Sequence, residues 1–175
     1  MLFFYLVGHF YLTQLLLPLL IKSNGRIVNV SSLGHVIAKG NTDFLQSNSY
    51  DPFQANAESK LANILHANEL QRRYGDQGIK AYSLHPGAIG TTGIIRDNKS
   101  YRMSIIRLLS RIVSKSISQG AMTTLYCALS DEAQPGKFHS NCRVAQPSSI
   151  AYNSKIAQES WELSEKIINE KTKHL

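Results

Sequence analysis

A β-branched run, Arg26 to Ser31, ends on a second serine, Ser32, and is followed by a capped helix and then by another short run, Ile79 to Leu84. Strand, helix, strand is the arrangement that most limits what this chain can become. Two strands joined through a helix lie parallel, and the crossover between them is right-handed. Both runs are apolar with little alternation, so Arg26–Ser31 is expected to be buried on both faces. In sheets of this kind ligands bind beyond the carboxyl ends of the strands. Ser31-Ser32 falls at one such end and His85-Pro86-Gly87 at the other.

The intervening helix has a clear start. Asp51 is a capping residue, Pro52 suits the first helical position, and Gln54 stands where a capping box is completed. The helix carries Ala57, Leu61, Ile64, Leu65 and Leu70 inward and ends near Gly75, before a turn at Asp76-Gln77-Gly78. Residues 33–50 and 88–100 read as loops. Helices are expected over 101–113 and 116–130, the latter starting at Ser116 or Ser118. A third short strand begins at Gly136-Lys137-Phe138. Residues 143–151 read as irregular around Pro147, and 154–172 as a helix with Trp161 and Leu163 facing inward. The order is α/β, with about three strands and no internal repeat, in one unit over residues 1–175.

Residues 1–21 carry no formal charge and are closed by Lys22. A run of this length is able to span a bilayer, but His9, Thr13, Gln14 and Pro18 interrupt it. A helix from about residue 2 to 22, apolar all round and bent near Pro18, is also what a buried helix of a layered domain looks like. The core helix is the favoured reading and a membrane segment the rival. A net charge of +7 suits solubility; no basic face interleaved with aromatics points to nucleic acid. Cys127 and Cys142 make neither a disulfide framework nor a metal cluster, and no metal is expected.

Val28-Asn29-Val30-Ser31-Ser32, Ser59-Lys60-Leu61-Ala62-Asn63 and His85-Pro86-Gly87-Ala88-Ile89 with Thr91 together resemble the short-chain dehydrogenase/reductase family, in particular its retinol-dehydrogenase-like and WW-domain-oxidoreductase-like branch. The run Leu12–Leu20 and Trp161-Glu162-Leu163-Ser164-Glu165 add to the likeness. The resemblance implies a Rossmann-like parallel sheet, NAD or NADP as cofactor, and hydride transfer to or from a carbonyl or alcohol substrate. It implies that Ser32 orients the substrate and that Lys60 binds the nicotinamide ribose, with Pro86, Gly87 and Thr91 along the nicotinamide half of the cofactor.

Three departures accompany it. Asn56 stands four residues before Lys60, where the family has its catalytic tyrosine. The two share a helix face, yet an amide does not titrate in the range a general acid needs. Tyr50, in the preceding loop, is a poor substitute. Tyr5 stands where the family has a helix-borne asparagine. The family's first strands and its Gly-x-x-x-Gly-x-Gly turn have no counterpart in these residues; that turn holds the diphosphate at a helix N-terminus. The expectation is a partial NAD(P)-binding domain with little or no turnover, in which Arg26–Ser31 presents an apolar edge to another chain.

Two further readings stay open. One is a non-catalytic module that pairs with itself or with a related dehydrogenase through helices 2–22 and 55–74. The other is a membrane-associated protein using residues 1–21 and the basic segment from Arg96 to Lys115, which also reads as a solvated face or a substrate-side lid. The expected compartment is the cytoplasm, with membrane association left open. A serine hydrolase is set aside, because Val30 stands where a Gly-x-Ser-x-Gly elbow requires glycine.

Overall fold

The computed structural model describes residues 7–40, 51–87 and 115–173. The expected helix at 101–113, the loop at 88–100, Tyr5, Tyr50, Thr91 and the basic segment up to Arg111 lie outside the described residues. Among the described residues, four helices and four strands follow in the order α1 (His9–Lys22), β1 (Arg26–Val30), α2 (Pro52–Tyr74), β2 (Lys80–His85), α3 (Ile117–Leu129), β3 (Phe138–Ser140), β4 (Arg143–Val144) and α4 (Ser154–Thr172). The strands lie in that order across one sheet. β1, β2 and β3 are parallel; β4 returns antiparallel to β3.

α1 and β1 meet at a tight corner. Ser23 donates its hydroxyl hydrogen to the Leu19 carbonyl at 3.0 Å, Asn24 takes a left-handed φ of 50°, and a Cβ on Gly25 would stand 2.7 Å from Leu20 Cδ2. The corner before β2 is its neighbour. Gly78 has φ 88°, and a side chain there would collide with Asn24 Oδ1. These two turns align the strand starts. The register Ile27 opposite Ala81 and Asn29 opposite Ser83 follows.

α2 is the central helix. Asp51 caps it, its side chain accepting from the Phe53 N–H at 2.9 Å. The expected capping box is not formed: Gln54 instead donates to Glu58 Oε1 at 2.6 Å, one turn onward. Glu58 is buried, and its carboxylate also accepts the backbone N–H groups of Lys39 (2.7 Å) and Gly40 (3.2 Å). A buried carboxylate needs such donors, and three of them outcompete a surface cap. The inward positions Ala57, Leu61, Ile64, Leu65 and Leu70 are all buried. One core cluster joins Phe10 and Leu17 of α1 to Ile27, Leu70, Ala81, Trp161 and Ile168. Phe10 and Trp161 meet edge to face at 4.7 Å between ring centres, a pairing worth about 0.5–1.5 kcal/mol beyond its buried area.

Several expectations are corrected. β1 is not buried on both faces: only Ile27 is fully buried along it, and Val30 is exposed. The reason is position, because β1 ends the sheet and no described strand pairs with its outer edge. α1 is likewise not enclosed. Phe10 and Leu17 point inward, while Leu12, Leu15, Leu16 and Leu19 are exposed. Within the span read as a loop, residues Leu33–Ile37 form a 3₁₀ turn. Within the span read as irregular, Arg143–Val144 adds a fourth strand and Ser149–Tyr152 another 3₁₀ turn. On α4, Trp161 is buried as expected, but Leu163 is only half-buried; Ala157, Ser164 and Ile168 complete the inner stripe. α3 starts at Ser116, where a capping box with Gln119 is present in full.

No helix of the described residues is long and apolar enough to cross a membrane.

Candidate functional site

The carboxyl ends of β1 and β2 and the early turns of α2 come together on one side of the sheet. β1 is stitched to α2 by side chains. Ser31 donates its hydroxyl hydrogen to the Lys60 carbonyl at 2.7 Å. Asn63 Nδ2 donates to the Val30 carbonyl, and Asn29 Nδ2 to the Asn63 carbonyl, each at 3.1 Å. Three polar residues thus fix the helix axially against the strand end. Their buried backbone partners would otherwise lose water with incomplete compensation.

Ser32 follows directly. Its side chain caps the 3₁₀ turn, accepting from the Gly34 N–H at 3.2 Å. A Cβ on Gly34 would stand 3.7 Å from Ser32 Oγ and 3.8 Å from Asn56 Nδ2. The hydroxyl and the amide therefore flank one small space, kept open because residue 34 has no side chain. Lys60 lies one helical turn from Asn56. It is half-buried, and burial lowers its pKa. Ser32 and Asn56 flank that space, and Lys60 follows one turn along α2.

His35 is a residue that sequence reasoning missed as part of this arrangement. It is buried, with Nδ1 2.6 Å from the Ser32 carbonyl oxygen and Nε2 accepting from the Ser148 N–H at 3.1 Å. Since Nε2 accepts, Nδ1 carries the proton and donates, which assigns one neutral tautomer. His35 ties the Ser32 segment to the segment before α4. Its only sequence signal is a Ser-x-x-His spacing in an otherwise apolar turn.

At the second strand end, His85 is buried and its Nδ1 has no hydrogen-bond partner among the described residues. Burial first, then the charge of Lys115, lower its pKa from the usual value. Gly87 has φ 96°, and the Lys115 side chain lies across it: a Cβ there would stand 2.7 Å from Lys115 Cδ. Lys115 Nζ donates to Asn141 Oδ1. Asn141 and Cys142 form the two-residue β3–β4 hairpin with φ 55° and 56°, the signature of a type I′ turn. The Cys127 thiol is buried and pushed up to about 11, mainly by burial, so it supplies no thiolate near neutral pH. No group of three His, Cys, Asp or Glu side chains among the described residues is placed to hold a metal ion.

The fit to a nicotinamide dinucleotide is divided. Pro86 and Gly87 follow the carboxyl end of β2, and Lys60 lies on α2 beside the end of β1, its carbonyl bonded to Ser31. The 175 residues contain no Gly-x-x-x-Gly-x-Gly run to receive a diphosphate. The remaining chemistry of the site is hydrogen bonding by Ser32 and Asn56 beside a desolvated amine.

No protein-family model matches the chain. Individual proteins do. It is 41% identical over 162 residues to retinol dehydrogenase 12 of Mus musculus, a match covering 90% of this chain and 50% of that protein. It is 35% identical over 177 residues to the short-chain dehydrogenase TIC 32 B, chloroplastic, of Brassica napus, covering 93% and 55%. It is 39% identical over 176 residues to the WW domain-containing oxidoreductase of Gallus gallus, covering 94% and 42%. The chain spans about half the length of the curated relatives it matches. Among solved structures, an uncharacterised protein from Mycobacterium paratuberculosis superposes with a TM-score of 0.65 at 30% identity, over 92% of this chain and 55% of that one. The carbonyl reductase Sniffer of D. melanogaster superposes at 0.56 and 20% identity, over 83% and 55%, and speaks to the fold alone. The ordered strand-end and helix motifs, the α/β sheet and these identities agree: the chain belongs to the short-chain dehydrogenase/reductase family, on its retinol dehydrogenase and WW domain-containing oxidoreductase side.

Proposed function

We propose that this chain carries the substrate-side half of a dehydrogenase/reductase site in a form that turns over little or no substrate. Ser32 is the group that would orient a carbonyl or alcohol, Lys60 the group that would bind the nicotinamide ribose, and Pro86 and Gly87 would line the nicotinamide. Thr91 continues that lining by resemblance. NAD or NADP is the cofactor the family implies. The observation that carries the reading is Asn56. It flanks the Ser32 hydroxyl across Gly34 and lies one turn from Lys60, where the proton donor is required. An amide hydrogen-bonds a carbonyl oxygen but neither gives up nor recovers a proton there. Loss of a general acid costs about 10²–10⁴ in rate.

The test is NADH and NADPH consumption with retinal-like and small carbonyl substrates. Turnover at the level of an intact reductase would refute the reading. A non-catalytic pairing role is favoured by a separate observation: among the described residues no strand pairs with the outer edge of β1, and Leu12, Leu15, Leu16 and Leu19 of α1 are exposed.

A further inference from the structure

We propose that one water molecule is bound in the packing between α2 and α4, accepting hydrogen bonds from His66 Nε2 and Trp161 Nε1. The proposal stands apart from the dehydrogenase reading. It starts from those two ring nitrogens, which are buried and have no hydrogen-bond partner among the described residues. His66 is 7% exposed and Trp161 2%. Their ring centres are 5.8 Å apart, and Phe10 of α1 packs on both rings. α1, α2 and α4 themselves thus enclose the two nitrogens.

Geometry fixes what each nitrogen offers. Asn29 Nδ2 lies 3.1 Å from the Asn63 carbonyl oxygen and 3.2 Å from His66 Nδ1. A carbonyl oxygen only accepts, so the Asn29 group between them is the amide nitrogen, with one hydrogen for each. His66 Nδ1 is therefore the acceptor. The ring is neutral, burial having lowered its pKa to about 3, so Nε2 carries the hydrogen. An indole nitrogen is likewise a donor only. Two buried donors thus call for one acceptor. Arg73 does not answer them: it lies over the Trp161 ring at 4.5 Å, and a guanidinium has only donors.

Size selects the occupant. His66 and Trp161 line a cavity of about 10 Å³ together with Ser160 and Ser164 of α4. One water needs about 10–15 Å³ of such space and two to four polar partners, so the cavity admits a single water and nothing larger. The water oxygen accepts twice, as the two donors require. One of its hydrogens has an acceptor in Ser164 Oγ, which donates its own proton to the Ser160 carbonyl at 2.8 Å and keeps its lone pairs. A cation is excluded, because both ring nitrogens present hydrogens.

The experiment uses the full chain, isotope-labelled in nitrogen, in ordinary water near neutral pH. Trp161 is the only tryptophan, so its indole N–H gives one signal. A long-range nitrogen–proton correlation should show His66 with its proton on Nε2. The indole proton should show a cross-peak to water of opposite sign in NOESY and ROESY spectra, which separates held water from proton exchange. The cross-peak should survive Ser160→Ala combined with Ser164→Ala, which removes the hydroxyls able to relay it and leaves both donors. It should be lost in His66→Phe, which keeps a ring and removes one donor. The proposal is overturned if His66 carries its proton on Nδ1, if the unaltered chain shows no such cross-peak, if the cross-peak vanishes with the two hydroxyls, or if it persists in His66→Phe. The tautomer and the cross-peak of the unaltered chain need no variant, so they decide the matter if a substitution unfolds the protein.

Discussion

Ser31 Oγ donates to the Lys60 carbonyl at 2.7 Å, so the strand end and the helix turn that carries the amine are held by one hydroxyl. Ser31 is buried. Ser31→Ala should lower stability by about 1 kcal/mol, the usual net worth of one such bond. Ser31→Thr retains the hydroxyl and adds a methyl group, so its cost is steric instead. Urea unfolding of the alanine variant should show a lower midpoint with an unchanged slope. An unchanged midpoint would mean that Asn29 and Asn63 hold the junction without it.

The parts of the site read from sequence are those carried by period and spacing. Asn56 and Lys60 are four apart on a capped helix, and that alone puts them on one face. Ser31-Ser32 ends a β-branched run, and that puts the hydroxyls at a carboxyl edge. β4 was not legible because two residues have no period, and its turn is Asn-Cys rather than the Asn-Gly that announces a type I′ hairpin. Gln54 carried a correct local rule, but a buried carboxylate one turn away decided its partner. α1 read as apolar all round, and composition has no term for which neighbours are there to cover each face. His35 acts between two segments more than a hundred residues apart, a relationship that no local window contains.

His66 sets the acid limit of the fold. It is buried among Phe10 and Trp161, and burial first, then the charge of His9, lower its pKa to about 3. In the unfolded chain it titrates near 6.5. Between those values the unfolded state binds a proton that the folded state does not, so stability falls as pH falls through that window. The loss is on the order of a few kcal/mol by pH 3. His85 and His139, also lowered mainly by burial, act with the same sign. Thermal midpoints measured from pH 7 to pH 4 should fall steadily. A His66→Phe variant should show a shallower decline, and equal slopes would remove His66 from the account.

Glu58 holds residues 39 and 40 against α2 through two backbone N–H groups and also accepts from Gln54. Glu58→Ala leaves those donors buried without a partner and should cost about 2–4 kcal/mol. Glu58→Gln keeps one acceptor oxygen and should cost less. Exchange at the Lys39 and Gly40 amides should quicken in both variants, more in alanine. No change at those amides would show that another group satisfies them.

Cys142 occupies a left-handed position, φ 56°, at the second residue of the β3–β4 turn. An L-residue with a side chain costs about 1–2 kcal/mol there, and glycine, which avoids that cost, loses about 0.5–1 kcal/mol of it again through its freer unfolded chain. Cys142→Gly should therefore stabilise the protein by about 0.5–1 kcal/mol, while Cys142→Ala, which keeps the Cβ, should gain nothing from the turn. The turn also places Asn141, whose side chain receives Lys115 across Gly87, so a firmer hairpin should hold Lys115 over the second strand end more tightly. Chemical denaturation of the three proteins, run reduced to keep thiol chemistry out of the comparison, gives the ranking glycine above cysteine and alanine. A glycine variant less stable than the parent would mean that the thiol's packing near Thr123, whose hydroxyl accepts the Cys142 N–H at 3.4 Å, outweighs the strain of its backbone.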